Sequence, residues 1–103
     1  MKLRILDLAE ADLLNGYQFY ESQSVGIGWY FLETLSSEIE SLRLYAGIHR
    51  QVFGFHRLLS RRFPYAGYYA ISADEIKVWR VLDCRRNPNW ISDQLHKSRQ
   101  RRN

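Results

Sequence analysis

The chain lacks the features that mark a membrane protein, a secreted protein or a metal-stabilised one. No stretch approaches the roughly 18 apolar residues of a membrane span, and Asp7 and Glu10 interrupt the apolar run near the N-terminus, which argues against a secretory signal. Cys84 is the single cysteine, so an internal disulfide is excluded, and no Cys/His cluster has zinc spacing. We therefore expect a cytoplasmic protein with no metal, no cofactor and no membrane association.

Lysine is also scarce, since twelve of the fifteen basic residues are arginine. The charges divide unevenly: residues 1–42 hold two bases and seven acids, whereas residues 43–103 hold thirteen bases and four acids. Arginine suits bidentate contacts to phosphate and carboxylate groups. This polarity predicts an anionic partner for the second half of the chain, either nucleic acid or an acidic protein segment. A solvated basic face is the alternative interpretation.

The remaining composition is that of an ordinary globular domain. Of the 103 residues, 46% are hydrophobic and 25% are charged, and a chain of this length forms one domain with one modest core. We expect that domain to span residues 1–98. Residues 99–103 are expected to be a frayed basic tail, because a terminal polar run has little to bury.

Two helices are predicted in the first half of the chain. The opening KLRILDL favours a short strand, and Asp7, three residues before Glu10, is a variant of the capping box that predicts a helix over about 9–22. Apolar residues that repeat every three or four positions predict a second helix, for which Gly47 is a natural stop; they are Leu32, Leu35, Ile39 and Leu42. The two helices are expected to form an antiparallel hairpin.

After Gly47 the pattern favours strands. Residues 54–61, 65–71 and 76–84 are rich in apolar and β-tolerant types, and the polar run 72–75 predicts a hairpin turn between the last two. Residues 89–97, after Pro88, are expected to form one or two helical turns. The order is β-α-α-β-β-β, which predicts an α+β fold. In it, an N-terminal strand precedes a helical hairpin that covers one face of a three-stranded antiparallel sheet.

Two runs of the second half carry a resemblance to a known family. Residues 57–65 read RLLSRRFPY and are followed by a tyrosine pair at 68–69, and residues 78–90 read VWRVLDCRRNPNW. With Asp12 and Tyr17 on the first helix, these runs resemble the RelE/ParE superfamily of bacterial type II toxins over residues 3–95. The resemblance implies the β-α-α-β-β-β fold and a growth-inhibiting toxin of the plasmid-stabilisation kind. It also implies an antitoxin whose extended tail wraps and neutralises the toxin, in a complex of two or more chains.

The superfamily resemblance implies two different activities. RelE-type members cut messenger RNA on the ribosome without a metal, using Lys and Arg on the sheet and often a Tyr or His, whereas ParE-type members inhibit DNA gyrase. No lysine lies in the second or third predicted strand, and Ala66 and Gly67 stand where an active-site Arg is expected, which favours the gyrase inhibitor. The enzyme question stays open, with an inactive remnant or a nucleic-acid-binding module as further alternatives. The candidate catalytic residues are His56, Arg61, Tyr65 and Arg85.

Partner-binding residues are predicted on the same runs. An aromatic anchor flanked by arginines has the composition of a binding hot spot, so the target contact is placed at Arg80, Arg85, Arg86 and Trp90. Basic and aromatic residues of the predicted sheet are assigned to the antitoxin: Arg57, Arg61, Arg62 and Tyr69. The alternative is that Arg85 or Arg86 only pairs with Asp83 or Asp93, and that Trp90 only seats the terminal segment against the sheet.

Overall fold

Helices and strands follow one another in the predicted order, with two short additions. The computed structural model describes residues 1–100. Its elements are β1 (Lys2–Ile5), α1 (Asp7–Gln23), α2 (Ile27–Glu40), α3 (Leu42–Tyr45), β2 (Gln51–Val52), β3 (Phe55–Leu59), β4 (Tyr65–Ser72), β5 (Glu75–Asp83) and α4 (Pro88–Gln100). No helix within these hundred residues is long and apolar enough to cross a membrane.

The strands form one sheet in the order β1-β5-β4-β3-β2. β1 runs parallel to β5, and the other neighbours are antiparallel. The turn between β4 and β5 lies at Ala73 and Asp74, as the polar run predicts, and Ala73 adopts a positive φ of 54°. The α+β fold is therefore confirmed. The sheet of the described residues is larger than the predicted one, because β2 was not foreseen and β1 joins the same sheet.

The helical hairpin of α1 and α2 is confirmed, but the predicted cap is wrong. Leu6 occupies the N-cap position, and no side chain makes a capping hydrogen bond there. Asp7 lies in the first turn instead, where its negative charge interacts favourably with the helix dipole. At the other end of α1, the carboxylate of Glu21 accepts hydrogen bonds from the amides of Gly26 (3.0 Å) and Gly28 (2.9 Å). These bonds close the turn between the two helices.

Two cores form, because helices cover both faces of the sheet. The hairpin packs on one face, with a core that includes Leu13, Phe31 and Leu35. α4 packs on the other face through Ile91 and Leu95. The sequence predicted a cover on one face and only a short terminal segment, whereas α4 has 13 residues.

The predicted tail boundary at residue 99 is also wrong. Arg99 lies inside α4, where its guanidinium donates a hydrogen bond to the carbonyl of Gly54 at 2.7 Å and stands 4.1 Å from the ring centre of Phe55. These contacts attach the end of α4 to the turn between β2 and β3. The rest of the predicted tail, residues 101–103, lies outside the described residues.

Candidate partner-binding site

The second half of β5 forms an open edge of the sheet. β1 pairs only with Glu75–Val78, and a β-bulge follows, since Tyr68 pairs with Arg80 while Tyr69 pairs with Val78. Beyond the bulge, a groove of about 380 Å³ runs between α1 and the start of α4. Its lining includes Asn15, Phe19, Tyr65, Asp83, Arg86 and Trp90. This groove collects more of the predicted target-binding residues than any other part of the described surface.

Arg80 forms the floor of this groove and is held inside the protein. Its guanidinium donates to both carboxylate oxygens of Asp12, at 2.7 and 2.9 Å, and to the side-chain oxygen of Gln94 at 3.0 Å. The residue is 9% exposed. This burial corrects the prediction that Arg80 contacts the target directly. Its charge is neutralised by Asp12 of α1, and its side chain links β5 to both α1 and α4.

Arg85 is exposed but already paired. Its guanidinium donates to both oxygens of Asp83, at 3.0 and 2.7 Å, and its backbone amide donates to the same carboxylate at 2.8 Å. These hydrogen bonds hold the pKa of Asp83 below its usual range. The internal pairing that the sequence offered as an alternative is therefore present at Arg85.

Arg86 has no such partner among the described residues. Its guanidinium stands 3.7 Å from the ring centre of Trp90, and no carboxylate of residues 1–100 lies within ion-pairing distance of it. Trp90 itself is half-buried against the core beneath α4, as the clasp interpretation expected. The stacked guanidinium keeps its in-plane N–H groups available, which suits bidentate binding of a carboxylate or a phosphate.

The four catalytic candidates do not form one constellation. Tyr65 lines the groove at β5, whereas Arg61 lines a second groove with His49 and Glu38. Burial, with a contribution from Asp83, raises the pKa of Tyr65 to about 12, so its phenolate is scarce at neutral pH. The fourth candidate, Arg85, is the residue paired with Asp83.

His56 is likewise engaged within the fold. Its Nδ1 lies 2.8 Å from the carbonyl oxygen of His49, and its ring stacks on Tyr69 with 5.1 Å between ring centres. A histidine held in this way is a packing residue of β3 rather than a proton-transfer group at a groove. Of the four, only Tyr65 lines the same groove as Arg86, which is unpaired within residues 1–100. Its raised pKa keeps the phenol protonated at neutral pH, so it does not supply a base.

The predicted antitoxin contacts divide into exposed and buried residues. Arg61 and Arg62 are exposed in the turn between β3 and β4, and Arg57 is half-buried beside Tyr68. Tyr69 is fully buried at 0% exposure. Its hydroxyl accepts the Gly47 amide at 2.9 Å and lies 2.5 Å from Nδ1 of His49. The burial corrects the prediction that Tyr69 contacts the antitoxin.

Sequence reasoning missed three residues that shape the site. Asp12 holds Arg80, and Asn15 and Phe19 form the α1 wall of the groove. The signal for them was available: Asp12, Asn15 and Phe19 recur at intervals of three and four on the predicted first helix, so they share one face. That face gives no composition signal of a binding surface, because it is neither basic nor continuously apolar.

Comparison with solved structures shows a likeness in fold. No family model matches the chain, and no curated protein matches it. Among solved structures, the chain is similar to a chain of the "Chromosomal ParDE TA system from P. aeruginosa", with a TM-score of 0.73 and 23% sequence identity. The match covers 79% of this chain and 92% of that chain. The two chains share a fold.

Proposed function

We propose that this protein is the toxin of a bacterial type II toxin–antitoxin pair. The observation that carries the proposal is the fold, which spans nearly the whole of a chain from a ParDE TA system. The element order and the runs at residues 57–69 and 78–90 independently resemble the RelE/ParE superfamily. A cognate antitoxin is the partner that follows from this proposal, in a heteromeric complex.

Within that class, we propose inhibition of DNA gyrase rather than cleavage of messenger RNA. Cleavage at a ribose 2′-hydroxyl needs a base, an acid and cations around one phosphate. In this protein Tyr65 and Arg61 line different grooves, and the ring of His56 is within hydrogen-bond distance of the His49 carbonyl. The dispersal of these groups supports a toxin that acts by binding. Arg86, stacked on Trp90 at the mouth of the groove, is the arginine best placed to make the target contact.

The experiment that tests the toxin is its induction alone in a bacterial host, beside induction together with the product of the neighbouring small open reading frame. We expect growth arrest with filamentation and a DNA-damage response, relieved by the second protein. Purified protein should inhibit the supercoiling reaction of gyrase. Rapid arrest of translation with cut messages would replace gyrase by the ribosome as the target.

Two other results would overturn the proposal that this protein is a toxin. Complex formation without growth arrest would indicate an inactive remnant. Tight, salt-dependent binding of nucleic acid in the absence of a protein partner would indicate a nucleic-acid-binding module.

A further inference from the structure

Along the open edge of β5, two of the four backbone groups that face away from β4 have no hydrogen-bond partner in the described part of the chain. Cys84 donates its amide to the Pro64 carbonyl at 2.8 Å, and backbone groups alternate in direction along a strand. The backbone amide and carbonyl of Leu82 therefore face β4, whereas those of Val81 and Asp83 face away from it. The Val81 amide is taken by the carboxylate of Asp12 at 2.9 Å, and the Asp83 carbonyl by the Arg86 amide at 3.2 Å. The carbonyl of Val81 and the amide of Asp83 have no hydrogen-bond partner among residues 1–100.

These two groups flank Leu82 and define one pairing geometry. In a parallel bridge, a single residue donates its amide to the carbonyl before the opposite residue and accepts from the amide after it. One residue of an extended segment placed opposite Leu82 would satisfy both groups. An antiparallel segment would need the Val81 amide or the Asp83 carbonyl, and both are occupied. The edge thus favours a strand running in the same direction as β1, which is itself parallel to β5.

The walls of the groove set the side chains that such a segment would carry. Leu82 belongs to the core beneath α4, so the residue opposite it would direct its side chain to the α4 side, where Arg86 and Trp90 line the groove. Its two neighbours would point to the α1 side, where Phe19 is 46% exposed. An acidic side chain fits the first position because Arg86 has no carboxylate partner among residues 1–100. Apolar side chains fit the neighbours.

We infer that this edge is a docking site for an extended segment of a partner protein, added to the sheet parallel to β5, with an acidic residue opposite Leu82 between two apolar ones. Strand addition of this kind draws affinity from the main chain and specificity from alternate side chains. The inference goes beyond the proposed function. It concerns the chemistry of the occupant and holds whether the target of the protein is gyrase or the ribosome.

The test uses the whole protein and a short blocked peptide in which valine and glutamate alternate. Amide resonances are followed by NMR while the peptide is raised to millimolar concentration. We expect the Asp83 amide to shift and to gain protection from solvent exchange. A peptide with lysine in place of glutamate should bind much more weakly, since Arg86 would repel it. An unmoved Asp83 amide, or equal binding of the two peptides, would overturn the inference.

A matched pair of variants isolates the backbone bond. Asp83→Pro removes the outward amide at an edge position where proline is tolerated, whereas Asp83→Ala keeps the amide and loses the same carboxylate. We expect the proline variant to bind the glutamate peptide about fivefold to tenfold more weakly than the alanine variant, the effect of one net hydrogen bond. Equal affinities would contradict strand addition. Should the proline variant fail to fold, the Asp83 shift in the unaltered protein decides the question.

Discussion

Arg80 and Asp12, separated by 68 positions in the chain, form a two-point ion pair in which both side chains are 11% exposed. The same carboxylate accepts the Val81 amide, so it neutralises a guanidinium and also takes a hydrogen bond that a longer β1 would otherwise make. Gln94 adds a contact from α4. One arginine therefore fixes the relative positions of α1, β5 and α4, which are the three elements around the groove.

Replacement of Asp12 by Asn should destabilise the protein strongly. The variant leaves the Arg80 charge buried without a counterion, and loss of one partner of a buried pair costs about 3–5 kcal/mol. Equilibrium unfolding in urea measures the change. Asp7→Asn is the control, because Asp7 is exposed and makes no capping bond; loss of its charge near the helix dipole should change the unfolding free energy by less than about 1 kcal/mol. Equal stability of the two variants would contradict the central role of the pair.

Replacement of Arg86 by Ala should lower growth inhibition and leave the fold intact. The stacking of an exposed Arg86 on Trp90 contributes about 0.5–1 kcal/mol, so the melting temperature should fall by only a few degrees. Toxicity on induction and thermal unfolding are measured together. Arg85→Ala is the comparison, because Arg85 is occupied by Asp83 and its loss should affect toxicity less. Undiminished toxicity of the Arg86 variant would remove this residue from the target contact.

The stability of the protein should decrease as the pH falls below about 6.5, the ordinary pKa of histidine. Burial, with a contribution from the charge of His56, holds the pKa of His49 below that value. The unfolded chain then binds a proton more readily than the folded one, so acid favours unfolding. Urea unfolding at pH 7 and pH 5 measures the slope. His49→Gln should flatten it, whereas His96→Gln, at an exposed position of α4, should leave it unchanged.

Two glycines should respond in opposite ways to a methyl group. A Cβ on Gly28 would lie 2.6 Å from the backbone oxygen of Tyr17, so Gly28→Ala must push α1 and α2 apart and should cost about 1–3 kcal/mol. A Cβ on Gly67 would meet no atom within 4 Å, and Gly67→Ala should be neutral or slightly stabilising. Thermal unfolding of both variants checks the contrast. A strongly destabilised Gly67 variant would contradict the open space beside this residue of β4.

The elements with a clear period were predictable from the sequence, and those without one were not. Leu35 and Ile39 mark the buried stripe of α2, and both are nearly inaccessible to solvent. β2 has two residues, which are too few to show the alternation of apolar and polar residues that predicts a strand. The predicted length of α4 is too short because its buried stripe continues from Leu95 to Ser98. A serine is polar, so the sequence predicts an exposed residue at that position.

The candidate site was less predictable than the fold. Arg80 is predicted as a target contact because it begins the basic C-terminal third of the chain, and only its contact with Asp12 reveals that it is buried. Tyr69, the second residue of the tyrosine pair at 68–69, is predicted as an antitoxin contact. Both rings are buried because both faces of β4 are covered, and that depends on where α4 docks.

The pairing of β1 with β5 also sets an order of events during synthesis of the chain. Lys2 stands opposite Glu75, so the first strand leaves the ribosome long before its neighbour does. The hairpin of α1 and α2 depends on nearby residues and can form while translation continues, whereas contacts between distant parts of a chain close late. The ion pair between Asp12 and Arg80 likewise forms only after Arg80 has been synthesised. The N-terminal strand therefore spends much of the period of translation without its neighbour, exposed to chaperones and to the nascent strands of other chains.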